Sequence, residues 1–481
     1  MGSPPDLRRA AGTSRQRRAR AVGVAGVLAA ALAGTTAATP ADATTLLFDF
    51  NRNTLGNQLP DSVFLFGDAG QTGTISSNSG FSDSFTLNAD GFADVFLPTS
   101  LAQSGTGVRN TGLRIVSPDP IAGYFVNRNA FSTDSTFILD TDALGTDYVI
   151  ASQGVGFGEG SQVAIQAVED GTEITFTPKG GAPITQTLNQ GETYKFAGGS
   201  TDLTGSTVSS TKPVAVSAGH ECAQVPGGTT FCDTLVEQMI PVENLSSEYL
   251  VTASDGAELA ASGADLVRVV ATEDGTTVDV DGTNVATLNK GDVYEFELPA
   301  GSGAEVEASA PVLLAQYLTG GAGNDTDPAM ALVPGQDNWL DSYRLATPTG
   351  TQEFDLNYAS IVAETANLGS LMLDGMMVDT SMFSSIGTTG FSRGIVDLPL
   401  GLFDLTGSSD FLVMLGGGSE ADSYFTYGGA TFAPGVSPPP DPDPDPIPAP
   451  ATLVLLGTGL ALVTARVRRE RRKANGAGER G

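Results

Sequence analysis

The chain has 481 residues, with 24 Lys+Arg against 55 Asp+Glu, a net charge of −31, one His and two Cys. Its basic clusters lie only at the two ends, so it is a poor partner for nucleic acid, and the scarcity of His and Cys removes multi-His metal centres, zinc ribbons and most triad chemistry. With 40% hydrophobic residues it can build packed cores, and 60 Gly with only 16% charged residues favour short strands and turns over helical bundles or doubly wound α/β folds.

Residues 1–43 read as a secretory signal peptide. Six Arg between Arg8 and Arg20 precede the apolar run AVGVAGVLAAALAG at 21–34, and Ala41-Asp42-Ala43 supplies the small-x-small pattern. Cleavage is expected between Ala43 and Thr44.

From Thr44 onward, strand signals recur, with Val/Ile/Thr/Phe alternation bounded by Gly, Asn, Asp and Pro. QVAIQAVEDGTEITFTP (162–178) and DLVRVVATEDGTTVDVDG (265–282) are copies. Each predicts a hairpin around Glu169-Asp170-Gly171-Thr172 or Glu273-Asp274-Gly275-Thr276. Leu188-Asn189-Gln190-Gly191 and Leu288-Asn289-Lys290-Gly291 also match, as turn signals before Tyr194-x-Phe196 and Tyr294-x-Phe296. A third motif runs Ile115-x4-Pro120-Ile121, Val208-x4-Pro213-Val214, Val306-x4-Pro311-Val312 and Leu405-x4-Asp410-Phe411. Proline fixes φ and donates no hydrogen bond, so each Pro predicts a turn feeding the last core strand of its unit. The fold expected is all-β, in tandem sandwich-like units of about 95–100 residues. The units are placed at 44–130, 131–235 (with the Cys pair), 236–330 and 331–434.

Residues 435–447 form a Pro/Asp linker, and residues 448–481 complete the chain. An uncharged run at 451–465 is expected to form a short hydrophobic helix, and Arg466 to Lys473 form a basic stop. With Pro448-Ala449-Pro450-Ala451-Thr452, this tail resembles the PEP-CTERM sorting signal of bacteria. The family's central Glu is Ala449 here. The resemblance implies an exosortase-type partner, transient anchoring in the inner membrane, and a final place at the cell surface or outside the cell. Between the two ends, residues 44–447 keep 11 basic and 51 acidic residues, a net of −40.

The stretch Lys212-Pro213-Val214-Ala215-Val216, Gly219-His220-Glu221-Cys222 and Cys232-Asp233-Thr234-Leu235-Val236-Glu237-Gln238 resembles the IgGFc-binding protein N-terminal domain family. Ser132-Thr133-Asp134, Leu144-Gly145-Thr146-Asp147-Tyr148 and Asp422-Ser423-Tyr424 agree with it. The resemblance covers about residues 60–432 and implies an extracellular β-rich interaction module.

An even cysteine count in an exported chain predicts a disulfide between Cys222 and Cys232. His220 is expected to pack beside it, because a catalytic base would need a nearby nucleophile and an orienting acid. Asp49-x-Asn51-x-Asn53 and Asp325-x-Asp327 lack the Gly and Glu of a full calcium loop and read as Asx turns. No catalytic residue, metal ligand or cofactor is assigned, and calcium is the one ion the charge leaves open. The function expected is a secreted or cell-surface, non-enzymatic binding or adhesion protein whose ligand is an extracellular glycan or protein. The alternatives are a biofilm or envelope matrix component without a discrete ligand, and a polysaccharide-acting enzyme, which any two of the many carboxylates could serve.

Overall fold

The computed structural model describes residues 44–436, apart from 50–52, 54–58, 103, 130, 230, 259, 261, 321–325, 349–352 and 420. The expected signal peptide, the expected linker beyond Val436 and the expected sorting tail with its hydrophobic run lie outside the described residues. No helix among the described residues is long and apolar enough to cross a membrane. The chain is all-β, with only short 3-10 turns between strands.

The strands form four repeats, 44–137, 145–238, 246–332 and 340–427, each a two-sheet sandwich with antiparallel ladders throughout, and Gly107–Arg109 of the first adds to the sheet of the second by pairing with Thr193–Lys195. The second repeat shows the plan. Its long strand, Thr207–Ala223, belongs to both sheets. Residues 207–210 pair with Thr172–Thr177, and residues 214–223 pair with Gly156–Ala167. The motif Val208-x4-Pro213-Val214 therefore marks a crossing between sheets. Pro213 falls between the two paired stretches, where the ladder asks for no N–H. Gly303–Leu318 and Leu402–Ser419 repeat the crossing around Pro311 and Asp410. In the first repeat Pro120 divides it into Leu113–Ser117 and Ala122–Asn129.

Two sequence expectations change here. In the second and third repeats the Pro sits inside a continuous strand and does not feed a separate one. The Glu-Asp-Gly-Thr segments do not close hairpins either. Gly156–Ala167 and Thr172–Thr177 never pair with each other. Both pair with the same long strand, on opposite sides of its crossing, so the turn is an arch between sheets. Thr172 and Thr276 close these arches by donating to the Glu169 and Glu273 carbonyls, at 2.8 and 2.9 Å.

Each later repeat is pinned by one buried tyrosine. Tyr148, Tyr249 and Tyr343 stand opposite Val208, Val306 and Leu405 in register. Each hydroxyl donates to the carbonyl six residues on, Val214, Val312 or Phe411, at 2.6, 2.6 and 2.5 Å. Each also accepts the N–H of the residue three before it, at 2.9 to 3.1 Å. Leu46 occupies this position in the first repeat.

The repeats close into a ring. Four axial strands, Ser132–Phe137, Asp233–Gln238, Ala329–Leu332 and Asp422–Tyr427, pack against one another in the order one, two, three, four and back to one. Each pairs on one edge with its own long strand. The other edge keeps unmet backbone N–H groups, and side chains of the neighbouring repeat satisfy them. Ser132, Asp134 and Thr136 accept from Thr234, Val236 and Gln238 at 3.1, 3.0 and 2.9 Å. Thr426 accepts from Phe137 at 3.0 Å, and Ser423 from Asp327 at 2.9 Å. At the rim, Asn78 donates to the Gln190 carbonyl and Lys179 to that of Gly291. Arg344 faces Asp68 at 3.6 Å and joins the fourth repeat to the first. Gly205 and Gly291 touch where a Cβ on either would strike the other's carbonyl oxygen, and both have φ near +80°.

Candidate functional site at the head of the axial strands

The constant offset of 102 residues between donors and acceptors on the first two axial strands makes them run the same way. The other two follow suit through Phe425, which donates to Asp134, and Asp327, which donates to Ser423. The connections from long to axial strand therefore meet at one end of the ring. Gly320 donates to the Val225 carbonyl at 2.8 Å and ties the third connection to the second.

The second connection is the distinctive one. Cys222 and Cys232 form a disulfide, with Cα atoms 5.1 Å apart. Gln224 donates from its backbone to Val155 at 2.9 Å and from its side chain to Thr229. Gly227 lies against the Val155 side chain, and Phe157 pairs with Cys222. Phe231 on this pinned loop, and Val155 and Phe157 on the segment bonded to it, are 40, 47 and 60% exposed. Phe131, in the first repeat's connection, is 63% exposed. It precedes Ser132, whose hydroxyl meets the backbone of Thr234. Single exposed apolar side chains are ordinary, but several on adjoining loops of an acidic protein mark a contact surface.

His220 lies beneath this loop, fully buried. Its Nδ1 accepts the Cys222 N–H at 2.9 Å, and its Nε2 has no hydrogen-bond partner among the described residues. Burial lowers its pKa to about 4, against a smaller opposing pull from Asp202. It is therefore a neutral ring at neutral pH that holds the first turn of the loop.

Below the loops, the axis gathers acids. Asp134 accepts four backbone N–H groups. Val236 and Met330 donate to Oδ2 at 3.0 and 3.2 Å, and Ser135 and Phe425 to Oδ1 at 2.9 and 3.3 Å. One carboxylate thus holds all four axial strands. Asp233, Asp327 and Asp422 stand at equivalent places in the second, third and fourth repeats, and Ser132 takes that place in the first. All three are buried. Asp422 accepts from Thr133 Oγ1 at 3.1 Å, whereas Asp233 Oδ2 and Asp327 Oδ1 have no hydrogen-bond partner among the described residues. Burial raises Asp327 to about 7 and Asp422 to about 8, and burial with the neighbouring acids raises Asp233 well above the usual carboxylate range. Among the described residues no group of three or more His, Cys, Asp or Glu is set to hold a metal ion.

Of the residues singled out from sequence, the structure brings Cys222 and Cys232 together. Thr44 is buried at the start of the first strand, and its hydroxyl accepts from Ile121 at 3.3 Å. Ala43 and Pro448 to Thr452 lie outside the described residues. Asn53 donates to the Ser132 carbonyl at 2.8 Å and Asp327 lies on the axis, so neither sits in an exposed turn. Sequence reasoning missed the axial carboxylates. Their signal is the recurrence of an acid shortly after each long strand, at Asp134, Asp233, Asp327 and Asp422.

A family model described as IgGFc binding protein matches residues 134–417, more than half of the chain. The human "IgGFc-binding protein" is 27% identical over 308 residues, which is 60% of this chain and 5% of that protein. The chain thus spans about a twentieth of the relative's length. Among solved structures, one titled for a 1.5-MDa bacterial ice-binding adhesin is 13% identical, covering 60% of this chain and 89% of that one at a TM-score of 0.11. Another, titled for a calcium-stabilised adhesin of an Antarctic bacterium, is 14% identical, covering 82% and 94%, also at 0.11. That score is too low to indicate a shared arrangement.

Proposed function

Since the chain belongs to the IgGFc-binding protein family, we propose that it is an exported, non-enzymatic binding protein that engages an extracellular glycan or protein through the head of its ring. The observation that carries this reading is the disulfide-pinned loop with Phe231 and the segment bonded to it with Val155 and Phe157, all exposed, together with Phe131 on the first repeat's connection. A closed ring of packed repeats is a rigid support, and rigid presentation of aromatic side chains lowers the ordering cost of binding. The same surface has no equivalent disulfide in the other repeats, so the second repeat is the favoured binding unit.

Export follows from the same reading. Removal of residues 1–43 would leave Thr44, the first residue of the first strand, as the new terminus. The PEP-CTERM-like tail would hold the protein in the inner membrane until an exosortase-type enzyme releases it to the cell surface or matrix. The −40 charge of residues 44–447 keeps it soluble and turns away anionic partners.

The test is a titration of the purified protein against washed cells and matrix polysaccharide of its host, with Phe157→Asp/Phe231→Asp as comparison. Saturable binding that the double variant loses supports the reading. Self-assembly without a saturable partner would favour a matrix component, and unchanged binding by the variant would move the site elsewhere.

A further inference from the structure

We infer that Asp233 and Asp327 form a proton-held latch at the axis: the closed ring keeps protons on these carboxyls, and losing them at higher pH loosens the junction of the four repeats. The inference rests on the ring geometry and is independent of the binding partner. The two aspartates come from the second and third repeats, each three residues before the residue, Val236 or Met330, whose N–H meets Asp134, and both lie in the interior. Two of their oxygens, Asp233 Oδ2 and Asp327 Oδ1, face no hydrogen-bond donor among the described residues. A buried carboxylate without donors or a cation is costly as an anion, and several together cannot all ionise.

The groups around them do not offset that charge. From the first axial strand come Asp134, already holding four N–H groups, and the hydroxyls of Ser132 and Thr133. Asp134, Asp327 and Asp422 each act on Asp233 in the direction that keeps it protonated. From the second axial strand comes Glu237, another buried acid, bonded to Thr136 and acting on Tyr427 of the fourth. From the second long strand, His220 is neutral and interacts with Asp202, while Glu221 accepts from Glu159. From the third, Gln316 donates to Asp265. The basic side chain that acts on the cluster is Arg128, through Asp422, and it is shared with Asp94 at 3.6 Å and with Asp61. One cation set among so many acids leaves Asp233 and Asp327 to be neutralised by protons.

The sign of the effect follows from linkage. An unfolded chain releases these protons near pH 4, whereas the folded ring holds that of Asp327 to about 7 and that of Asp233 well above the usual carboxylate range. The folded state binds more protons between those limits. Stability is therefore fullest below pH 4 for these groups and falls as pH rises from 4 through 7. That is opposite to the usual paired carboxylate. The pH of the surroundings would set how firmly the ring, and with it the head, is held.

The experiment is urea unfolding of the protein at pH 5, 6.5 and 8, for the unmodified chain and for Asp233→Asn/Asp327→Asn. Asn imitates a carboxyl that never loses its proton. The unmodified protein is expected to lose stability from pH 5 to 8, and the variant to lose markedly less and to be the more stable of the two at pH 8. Equal pH dependence in both would overturn the latch. So would a rise in stability on adding calcium at pH 8 that a chelator reverses, because a cation would then be doing what we assign to protons. Should the double variant not fold, amide exchange in the unmodified protein decides. From pH 5.5 to 8, after correction for intrinsic exchange, the amides of Val236, Met330 and Phe425 are expected to open more than that of Ile174 in an outer sheet. Equal change in both sets would overturn the inference.

Discussion

Replacing Asp134 by Ala removes a side chain that touches all four axial strands. Four backbone N–H groups lose their acceptor, those of Val236, Met330 and Phe425 from the other repeats and that of Ser135. An unmet buried donor costs ~1–3 kcal/mol, so four cost about 4 kcal/mol even at the low end of that range. A loss of this size is exceptional for a point mutant, and it is comparable with the ~5–15 kcal/mol that holds a whole domain. The side-chain amide of Asp134→Asn would keep one accepting oxygen and strand about half the donors, so its stability should fall between those of the parent and Asp134→Ala. Urea unfolding can be followed through Trp339, the single tryptophan, buried in the fourth repeat edge-on to Phe391. Because Asp134 lies in the first repeat, an early transition at Trp339 in Asp134→Ala would report the ring and not a local defect. A variant within about 1 kcal/mol of the parent, or one that unfolds the first repeat and leaves the Trp339 transition in place, would refute the reasoning.

Three further outcomes are expected. Tyr249→Phe leaves the Val312 carbonyl and the Ser246 N–H without the hydroxyl that serves both, and should cost ~1–3 kcal/mol in denaturant unfolding while the far-ultraviolet spectrum stays β-type. Cys222→Ser/Cys232→Ser opens a loop with a sequence separation of 10. It should lose ~2–3 kcal/mol on the chain-entropy account, read as a lower melting temperature that reducing agent no longer shifts. His220, with its pKa lowered to about 4 by burial, takes up a proton on unfolding whenever the pH lies between 4 and its unfolded value of 6.5. Stability from this group is present above pH 6.5 and is lost as pH falls through 4. The difference between the parent and His220→Gln in melts from pH 7 to 4 should shrink with acid, and a constant difference would contradict it.

Much of this architecture was legible in the sequence because it is local. The Val-x4-Pro-Val motif recurs at the same step of the second and third repeats, with Ile115-x4-Pro120-Ile121 in the first and Leu405-x4-Asp410-Phe411 in the fourth, and Leu288-Asn289-Lys290-Gly291 is a turn wherever it is placed. What those segments join was not legible. The Glu-Asp-Gly-Thr turn reads as a hairpin because strands of alternating residues flank it. Whether they pair with each other or with a strand some 40 residues later depends on the long strand, which the turn does not encode. The continuous strand through Pro213 was hidden for a related reason, since a Pro is harmless only where a strand changes sheets. The ring was hidden most deeply. Ser132-x-Asp134-x-Thr136 looks like polar alternation on a solvated strand, yet all three side chains serve backbone N–H groups 102 residues away. At the head, the cysteine pair was visible by count alone. Phe157 at the start of its strand and Phe231 in the disulfide loop are both exposed, which their residue type does not signal.

The account centres on a chain that works outside the cell through a disulfide-pinned head. Its most direct test is to fractionate the native host and measure the intact mass of the protein with and without reduction. A product in the medium, matrix or surface fraction that begins near Thr44, ends near Pro448 to Thr452 and gains two hydrogens on reduction is the predicted result. A full-length, reduced chain in the cytoplasm would contradict it.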